Sequence, residues 1–230
     1  FRLYNRVITE DEIAELYNYK TNDFVKNTNI MLCWYKFDTN FEDSLKNTSP
    51  VNSENTLLSH VVCKKGKGSL ELTDNAMSYL NIQNLNYGTG IAKTISFWMQ
   101  FSNIKTGINV KIFSFGAEND RGIILQKIED DTLSIVSGDI NTGTKTISVN
   151  TVIKQDEWYH ILLVIKKTSG IDGDISLYIN NELKTTTGDC YYPIDEIVND
   201  TSVGSDQFVG YFDDLRIYDK EIIEDKVQEL

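Results

Sequence analysis

Histidine and cysteine are the residues of this chain that could act as nucleophiles, general bases or zinc ligands. The chain has only His60 and His160 and no G-x-S-x-G string, so a serine-centred triad is not indicated. The three cysteines, Cys33, Cys63 and Cys190, are far apart and share no ligand spacing with the histidines, which excludes a zinc knuckle. These residue types therefore predict no catalytic residue.

The same residues have structural interpretations. His160 follows two aromatic residues at the start of an apolar strand, where we expect it to pack, and His60 in LLSHVV is expected at a solvated edge. Cys33 lies in an apolar strand and is expected to be buried. Cys63 and Cys190 either pair in an oxidising compartment or remain thiols, and the sequence leaves both possibilities open.

Aromatic side chains in polar loops are the candidates for binding a sugar, because a sugar site needs exposed ring faces beside Asn, Asp or backbone donors. Tyr191 and Tyr192 lie in GDCYYPIDE, and Tyr87 lies in NLNYGTG. These three are the predicted ligand-binding residues, although exposed loop tyrosines are also ordinary. The tryptophans lie in strands, which favours packing in the core or at an edge over stacking on a ligand, for Trp34, Trp98 and Trp158.

The charge of the chain limits its partners. The formal charge of −12 is unsuited to a phosphate backbone, which requires the clustered Lys and Arg that the sequence does not suggest, so no nucleic-acid partner is expected. No run of eighteen apolar residues exists, so direct membrane insertion is not predicted. Phe1 begins inside an element, so any signal peptide would precede it. The acidity suits calcium or is simply a solvated surface.

Short alternating segments predict strands. YHILLVIKK at 159–167 is a nearly continuous apolar run typical of a central strand, and ISLYINNELKTTT at 175–187 predicts a hairpin turning at Asn180 and Asn181. MLCWYKFD at 31–38 is apolar on both faces for much of its length, which predicts a strand that is covered on both sides or lies in the middle of a sandwich. In TISFWMQF at 94–101 the apolar face consists of Ile95, Phe97, Met99 and Phe101. Other predicted strands are SLELTD, YLNI, VKIFSFG, GIILQK, TLSIVS and TISVNTV.

The two ends of the chain resemble each other. FRLYNRVITEDEIAEL at 1–16 aligns without gaps with LRIYDKEIIEDKVQEL at 215–230, and each copy predicts a strand followed by a short acidic helix. The offset is long enough for a whole domain rather than a solenoid repeat. We therefore predict the closing strand and helix of a preceding repeat at 1–18, a linker at 19–29 and one domain at 30–230, with neighbouring copies of the domain as partners.

Over residues 30–230 the chain resembles the laminin G-like group of the concanavalin A-like lectin/glucanase superfamily. The resemblance rests on the order and spacing of WYKFDTNFEDSLKN, SLELTDNAMSYLNI, TISFWMQF, DEWYHILLVIKK, ISLYINNELK and GYFDDLRIYDKEI. It implies an all-β fold, a jelly-roll sandwich of two antiparallel sheets, and the repeat adds a short helix at each end of the chain.

The resemblance also sets expectations about chemistry. A glucanase of this superfamily shows E-x-D-x-x-E on one strand, and the nearest strings here, ENDRGI at 118–123 and EDDTLS at 129–134, lack the third carboxylate, so the chain is predicted not to be an enzyme. Relatives often hold a structural calcium between the first loop and the closing strand. The matching residues could instead make turns and a strand cap; they are Asp38, Asp43, Asn47 and Asp213.

The sequence thus predicts a non-catalytic binding or adhesion module that recognises a glycan or glycoprotein on a cell or particle surface. Tandem copies favour binding, because repeated weak sites gain through avidity. One alternative is a structural or assembly module of a surface layer or virion without a ligand pocket. The third is a glycoside hydrolase or lyase. The expected location is extracellular or surface-exposed.

Overall fold

A computed structural model describes residues 31–52, 56–74, 78–86, 90–116, 122–129, 131–139, 141, 143–192, 201–205 and 207–222. These residues include fifteen strands. No helix in these ranges has the length and hydropathy needed to cross a membrane. The predicted terminal helices, the segment 1–18 and the linker 19–29 lie outside the described residues. The strands are β1 (Met31–Tyr35), β2 (Ser49–Asn52), β3 (Thr56–Ser59), β4 (Ser69–Leu72), β5 (Leu80–Gln83), β6 (Ala92–Asn103), β7 (Val110–Phe115), β8 (Ile123–Lys127), β9 (Thr132–Asp139), β10 (Gly143–Val152), β11 (Trp158–Ser169), β12 (Asp172–Ile179), β13 (Glu182–Tyr191), β14 (Thr201–Val203) and β15 (Val209–Tyr218).

The strands make two antiparallel sheets. One has eight strands in the order β13-β12-β11-β6-β15-β4-β3, with β1 also paired to β15. The other has seven strands in the order β10-β9-β8-β7-β14-β5-β2. The closing strand β15 therefore lies inside its sheet, between β6 and β4, and the predicted two-sheet antiparallel jelly roll is confirmed.

The core lies between the sheets because each strand alternates apolar and polar residues. The four residues of the predicted apolar face of β6 are each at most 1% exposed; they are Ile95, Phe97, Met99 and Phe101. Phe97 of this face meets Phe113 of β7 and Phe212 of β15, with ring centroids 5.4 and 5.8 Å apart. The two inner faces thus interdigitate as sandwich cores do.

The predicted hairpin and central strand are confirmed. Asn180 and Asn181 join β12 to β13 with φ of 52° and 67°, the left-handed backbone that a two-residue turn requires. The apolar run at 159–167 forms β11, which pairs with β6 on one side and β12 on the other. Strands β2, β3 and β14 are short and were not predicted, because their three or four residues carry too little alternation.

Two expectations about local structure are wrong. The segment GDCYYPIDE is not wholly a loop, since β13 continues to Tyr191. Strand β1 is not covered on both sides, because Leu32 and Trp34 are only half-buried whereas Cys33 and Tyr35 are buried. On the outer face of β6, Thr94, Ser96 and Gln100 are buried as well, and Trp98 is half-buried.

The cysteines are thiols, as one of the two predicted alternatives has it. Cys33 is buried in the core, as expected, and burial raises the pKa of its thiol. The Cys190 thiol donates to the Gly173 carbonyl oxygen at 3.0 Å, and no disulfide joins it to Cys63.

The segment after β15 crosses the outer face of the eight-stranded sheet, which is the face turned away from the core. Ile222 packs on Leu162 and Val164 of β11, and its amide donates to the Thr94 hydroxyl at 3.0 Å. Asp219 anchors the start of this segment through an ion pair of 2.5 Å with the buried Lys93 ammonium. One end of the outer face is therefore closed to ligands.

Replacing Phe97 tests the aromatic centre of the core. Phe97→Ala should lower the free energy of unfolding by about 3–5 kcal/mol, because it removes ring contacts to both sheets and leaves a cavity. Urea unfolding measures the change. Leu183→Ala, at a side chain that is 47% exposed, is the control and should change stability by less than about 0.5 kcal/mol. Equal losses in both variants would contradict this placement of the core.

Candidate functional site

A β-bulge in β15 brings two consecutive carboxylates to the outer face. Asp213 pairs with Trp98 of β6 and Arg216 pairs with Ser96, so three steps along β15 match two along β6. The extra residue is accommodated at Asp214, whose φ of 51° is left-handed and is tolerated by aspartate. Phe212 and Leu215 on either side remain in the core, and both aspartates are buried among polar partners.

Asp214 organises a cleft of about 230 Å³ on this face. Its carboxylate accepts from the Trp34 indole Nε1 at 2.7 Å and from Arg216 Nε and Nη2 at 3.1 and 2.8 Å. The Arg216 guanidinium lies 4.9 Å from the Trp34 ring centroid and the Lys36 ammonium lies 4.1 Å from it. The cleft is lined by Trp34, Lys36, Asp38, Lys65, Gly66, Asp214 and Arg216.

The basic loop, defined as residues 63–67 with the sequence CKKGK, forms one wall of the cleft. Asp213 Oδ2 accepts from the Lys64 and Lys65 amides at 2.8 and 2.7 Å, and the Asp38 carboxylate accepts from the Lys67 amide. Gly66 has φ of 59°, and a Cβ there would overlap the Asp38 carboxylate. Two side-chain carboxylates thus fix the backbone of the basic loop.

Two further aromatic groups lie on the outer face beyond the cleft. Trp98 lies 4.9 Å from the His160 ring, and the Lys64 ammonium lies 4.5 Å from its centroid. Trp158 of β11 and Tyr211 of β15 form a separate pair with centroids 6.5 Å apart. Half-buried aromatic rings therefore extend from the cleft across the sheet.

The three tryptophans share this face, so they do not pack in the core, which was one of the two packing positions expected for them. Trp34, Trp98 and Trp158 are each half-buried on the outer side of their strands. Alternation places them opposite the buried residues Cys33, Phe97 and Tyr159, which the sequence showed. The sequence did not show that this outer face is partly exposed to solvent.

His160 has the structural environment expected for it. It is 3% exposed and shares hydrogen bonds with Ser96 Oγ at 2.9 Å and Asn181 Oδ1 at 3.4 Å. Burial lowers its pKa, which favours the neutral ring at physiological pH. His60 is exposed at the end of β3, as predicted, and its ring lies 3.2 Å from the Lys67 carbonyl oxygen.

Tyr191 and Tyr192, predicted as exposed ligand-binding rings, are only 4% and 6% exposed, so the expectation of open ring faces is wrong. The Tyr192 hydroxyl donates to the Gly90 carbonyl oxygen at 2.8 Å. Lys145 lies over the Tyr191 ring, 4.3 Å from its centroid. Tyr87 lies outside the described residues and stays a prediction.

The four predicted calcium ligands do not share a donor cluster. Asp43 is 3% exposed, and its carboxylate accepts from the amides of Trp34, Leu45, Asn47 and Thr48 and from the Thr48 hydroxyl, at 2.8–3.1 Å. The Asn47 side chain donates to the Leu32 carbonyl oxygen. Asp38 and Asp213 hold the basic loop. Among the described residues no group of three His, Cys, Asp or Glu is arranged for a metal, and the calcium site stays a prediction.

Asp43→Ala separates the structural role from a metal-binding role. Loss of five accepted hydrogen bonds leaves buried and partly buried donors without partners, so we expect the free energy of unfolding to fall by about 3 kcal/mol. Thermal and urea unfolding in excess chelator and in excess calcium should show the same loss. Glu42→Ala, at an exposed acidic residue of the same loop, is the control. A loss that requires calcium would restore the predicted metal site.

Asp213 and Trp98 carry buried polar atoms that no described residue satisfies. Asp213 Oδ1 and Trp98 Nε1 have no hydrogen-bond partner, although the two residues are paired across β15 and β6. Burial, with a smaller contribution from the Asp214 charge, raises the pKa of Asp213 to about 6, against the two amides that stabilise its charged form. A protonated Asp213 could donate from Oδ1.

This raised pKa makes stability depend on pH. Between about pH 4 and pH 6 the folded chain keeps a proton that the unfolded chain has lost. Stability from Asp213 is therefore fully present below about pH 4 and is lost as the pH rises through 6, on the order of 3 kcal/mol. Asp213→Asn keeps an acceptor for the two amides and cannot ionise, so it should gain stability relative to the unmodified chain as the pH rises from 4 to 7.

Urea unfolding across this pH range measures the difference, with Glu42→Gln as an exposed control. A stability difference between Asp213→Asn and the unmodified chain that stays constant with pH would show that Asp213 titrates as it does in the unfolded chain.

Comparison with known proteins identifies the architecture. A laminin G family model, described as the concanavalin A-like lectin/glucanases superfamily, matches residues 74–228. No curated protein sequence matches the chain significantly.

Similar solved structures include the receptor-binding domain of botulinum neurotoxin D, with 16% identity and a TM-score of 0.68 over 86% of this chain and 51% of that one. The binding domain of Paraclostridial Mosquitocidal Protein 1 has 17% identity and a TM-score of 0.67 over 87% and 51%. Domain 4 of an extracellular GH43 arabinanase from Geobacillus stearothermophilus, in complex with arabinotriose, has 17% identity and a TM-score of 0.66 over 87% and 97%. This chain spans about half the length of the toxin binding domains. At these identities the likeness shows the fold.

Proposed function

We propose that this chain, which belongs to the concanavalin A-like lectin/glucanases superfamily through its laminin G match, is a non-catalytic module that binds glycan or glycoprotein. The proposed binding site is the cleft between β1, β15 and the basic loop. The proposed location is extracellular or surface-exposed.

The observation that carries the proposal is the half-buried Trp34 indole set among fixed polar groups in a concave site. Asp214 holds both the indole nitrogen and Arg216, so the ring and the guanidinium are positioned before any ligand arrives. Lys36 is exposed, and its flexible side chain can leave the ring when a sugar stacks there. Sugar sites combine such ring faces with a few oriented polar groups.

The similar structures support a binding function without identifying the ligand. One is named a receptor-binding domain, one is named a binding domain, and one is a domain of an extracellular arabinanase in complex with arabinotriose. Because one fold serves many functions, the site on this chain must be argued from its own residues.

The polar groups of the cleft favour binding over catalysis. Asp214 already accepts three hydrogen bonds, and Asp38 accepts from the Lys67 amide. Glycoside hydrolysis requires a pair of carboxylates free to act on a bound sugar, and Asp214 is already committed to Trp34 and Arg216.

An assembly module is less well supported. Such a module should show apolar patches at its edges, whereas the large apolar side chains exposed among the described residues are spread singly over loops and the strands β3, β10 and β13. Single exposed apolar residues are ordinary on monomeric surfaces. Association of neighbouring copies stays a prediction.

A glycan array tests the proposal, with the chain displayed multivalently so that weak sites register. We expect selective binding to one class of glycan. Trp34→Ala should reduce that binding at least about tenfold, since an aromatic anchor of a site contributes more than about 1.4 kcal/mol. Trp158→Ala is the matched control, because Trp158 is a half-buried tryptophan of the same face outside the cleft.

The array is run with calcium and with chelator, so that a metal-dependent ligand is not overlooked. Loss of binding in Trp158→Ala but not in Trp34→Ala would move the site away from the cleft. Absence of binding in both conditions would reject the glycan proposal and favour a protein partner or assembly. Circular dichroism confirms that each variant is folded.

A further inference from the structure

The cleft has the opposite charge to the rest of the chain. Its lining includes three cations, Lys36, Lys65 and Arg216, against two carboxylates, Asp38 and Asp214, in a chain with a formal charge of −12. Lys64 and Lys67 of the basic loop add charge beside it. The expectation from the sequence that Lys and Arg do not cluster is therefore wrong at the cleft. The string K-K-G-K in an otherwise acidic chain could have indicated this cluster.

The carboxylates of the cleft accept hydrogen bonds, whereas two of its ammonium groups, which lie near tryptophan rings, form no ion pair with a described residue. Asp214 is held by Trp34 and Arg216, and Asp38 accepts from the Lys67 amide. Within the described ranges, by contrast, no carboxylate lies at ion-pair distance from the Lys36 or Lys65 ammonium. The hydrogen-bonding capacity left for a ligand is thus mainly donor capacity with positive charge, which is complementary to an anion.

The backbone that carries Lys65 in the basic loop is also preorganised. The amides of Lys64 and Lys65 bind Asp213, the amide of Lys67 binds Asp38, and Gly66 packs where no side chain would fit. A ligand therefore meets a backbone that is already ordered, which lowers the entropic cost of binding. Because these amides are occupied, the ligand must be recognised by the lysine side chains.

From this arrangement we propose that the cleft binds an acidic sugar, with its carboxylate or sulfate group held by Lys65 and Lys36 and its ring against Trp34. The inference rests on the proposed glycan-binding function and specifies its ligand class. The cleft of about 230 Å³ is smaller than the roughly 300–1,000 Å³ of sites for drug-sized ligands, so it suits one sugar residue. The acidity of the remaining surface opposes an extended polyanion, which would need many phosphate contacts.

The test uses three forms of one immobilised oligosaccharide: the neutral form, a form ending in a carboxylate sugar and a form with a sulfate ester. We expect at least one acidic form to bind about tenfold or more tightly than the neutral form, and to weaken as sodium chloride rises. Which acidic form binds distinguishes carboxylate from sulfate.

Variants locate the charge. Lys65→Ala and Lys36→Ala should each reduce binding of the acidic form several-fold and so narrow the difference in affinity between the acidic and the neutral forms. Lys154→Ala is the control, because it removes the same charge from an exposed residue outside the cleft. Unchanged binding of the acidic form in both cleft variants would overturn the inference.

Other outcomes separate this inference from the proposed function. Equal binding of neutral and acidic forms, abolished by Trp34→Ala, would overturn the acidic ligand and keep the glycan site. Failure of all three forms to bind, together with an empty glycan array, would overturn both. Stronger binding to phosphatidylserine vesicles than to any acidic sugar would overturn the acidic sugar in favour of a lipid surface.

Discussion

The single extra residue in β15 is the constraint on which the proposed site depends. Without the bulge at Asp214, the strict alternation of β15 would send one of the two aspartates into the core. With it, Asp213 holds the backbone of the basic loop and Asp214 holds Trp34 and Arg216. One backbone irregularity thus couples three separate parts of the chain, which is the kind of role that bulges have beside functional sites.

The bulge affects several parts of the chain because β15 lies inside its sheet. The last described strand lies between β6 and β4 and also pairs with β1, so residues from both ends of the domain meet along it. The segment that follows β15 then covers Leu162 and Val164 and closes one end of the outer face. The other end is left to the basic loop, whose lysines lie over Trp98 and beside the cleft. The segment after β15 and the basic loop therefore determine which part of the outer face stays open.

Electrostatics at the cleft depends on burial as much as on composition. Asp213 is buried, and burial raises its pKa to about 6. The same carboxylate accepts the hydrogen bonds that hold the backbone of the basic loop. Asp214 is buried as well, but the Arg216 fork and the Trp34 indole satisfy it. The two neighbouring carboxylates thus have different environments, and the raised pKa of Asp213 follows from its burial.

The sequence by itself determined the strands, the two-sheet class and the inner faces, because alternation in segments such as 94–101 and the Asn180–Asn181 turn are local properties. It also determined that His160 packs and that Cys33 is buried. Only the tertiary structure decided which outer faces stay open: it buried Tyr191 and Tyr192, left Trp34 half-buried, and committed Asp38, Asp43 and Asp213 to backbone amides rather than to a shared metal site. These outcomes depend on contacts between residues up to 180 positions apart, and no local pattern encodes which loop covers which face.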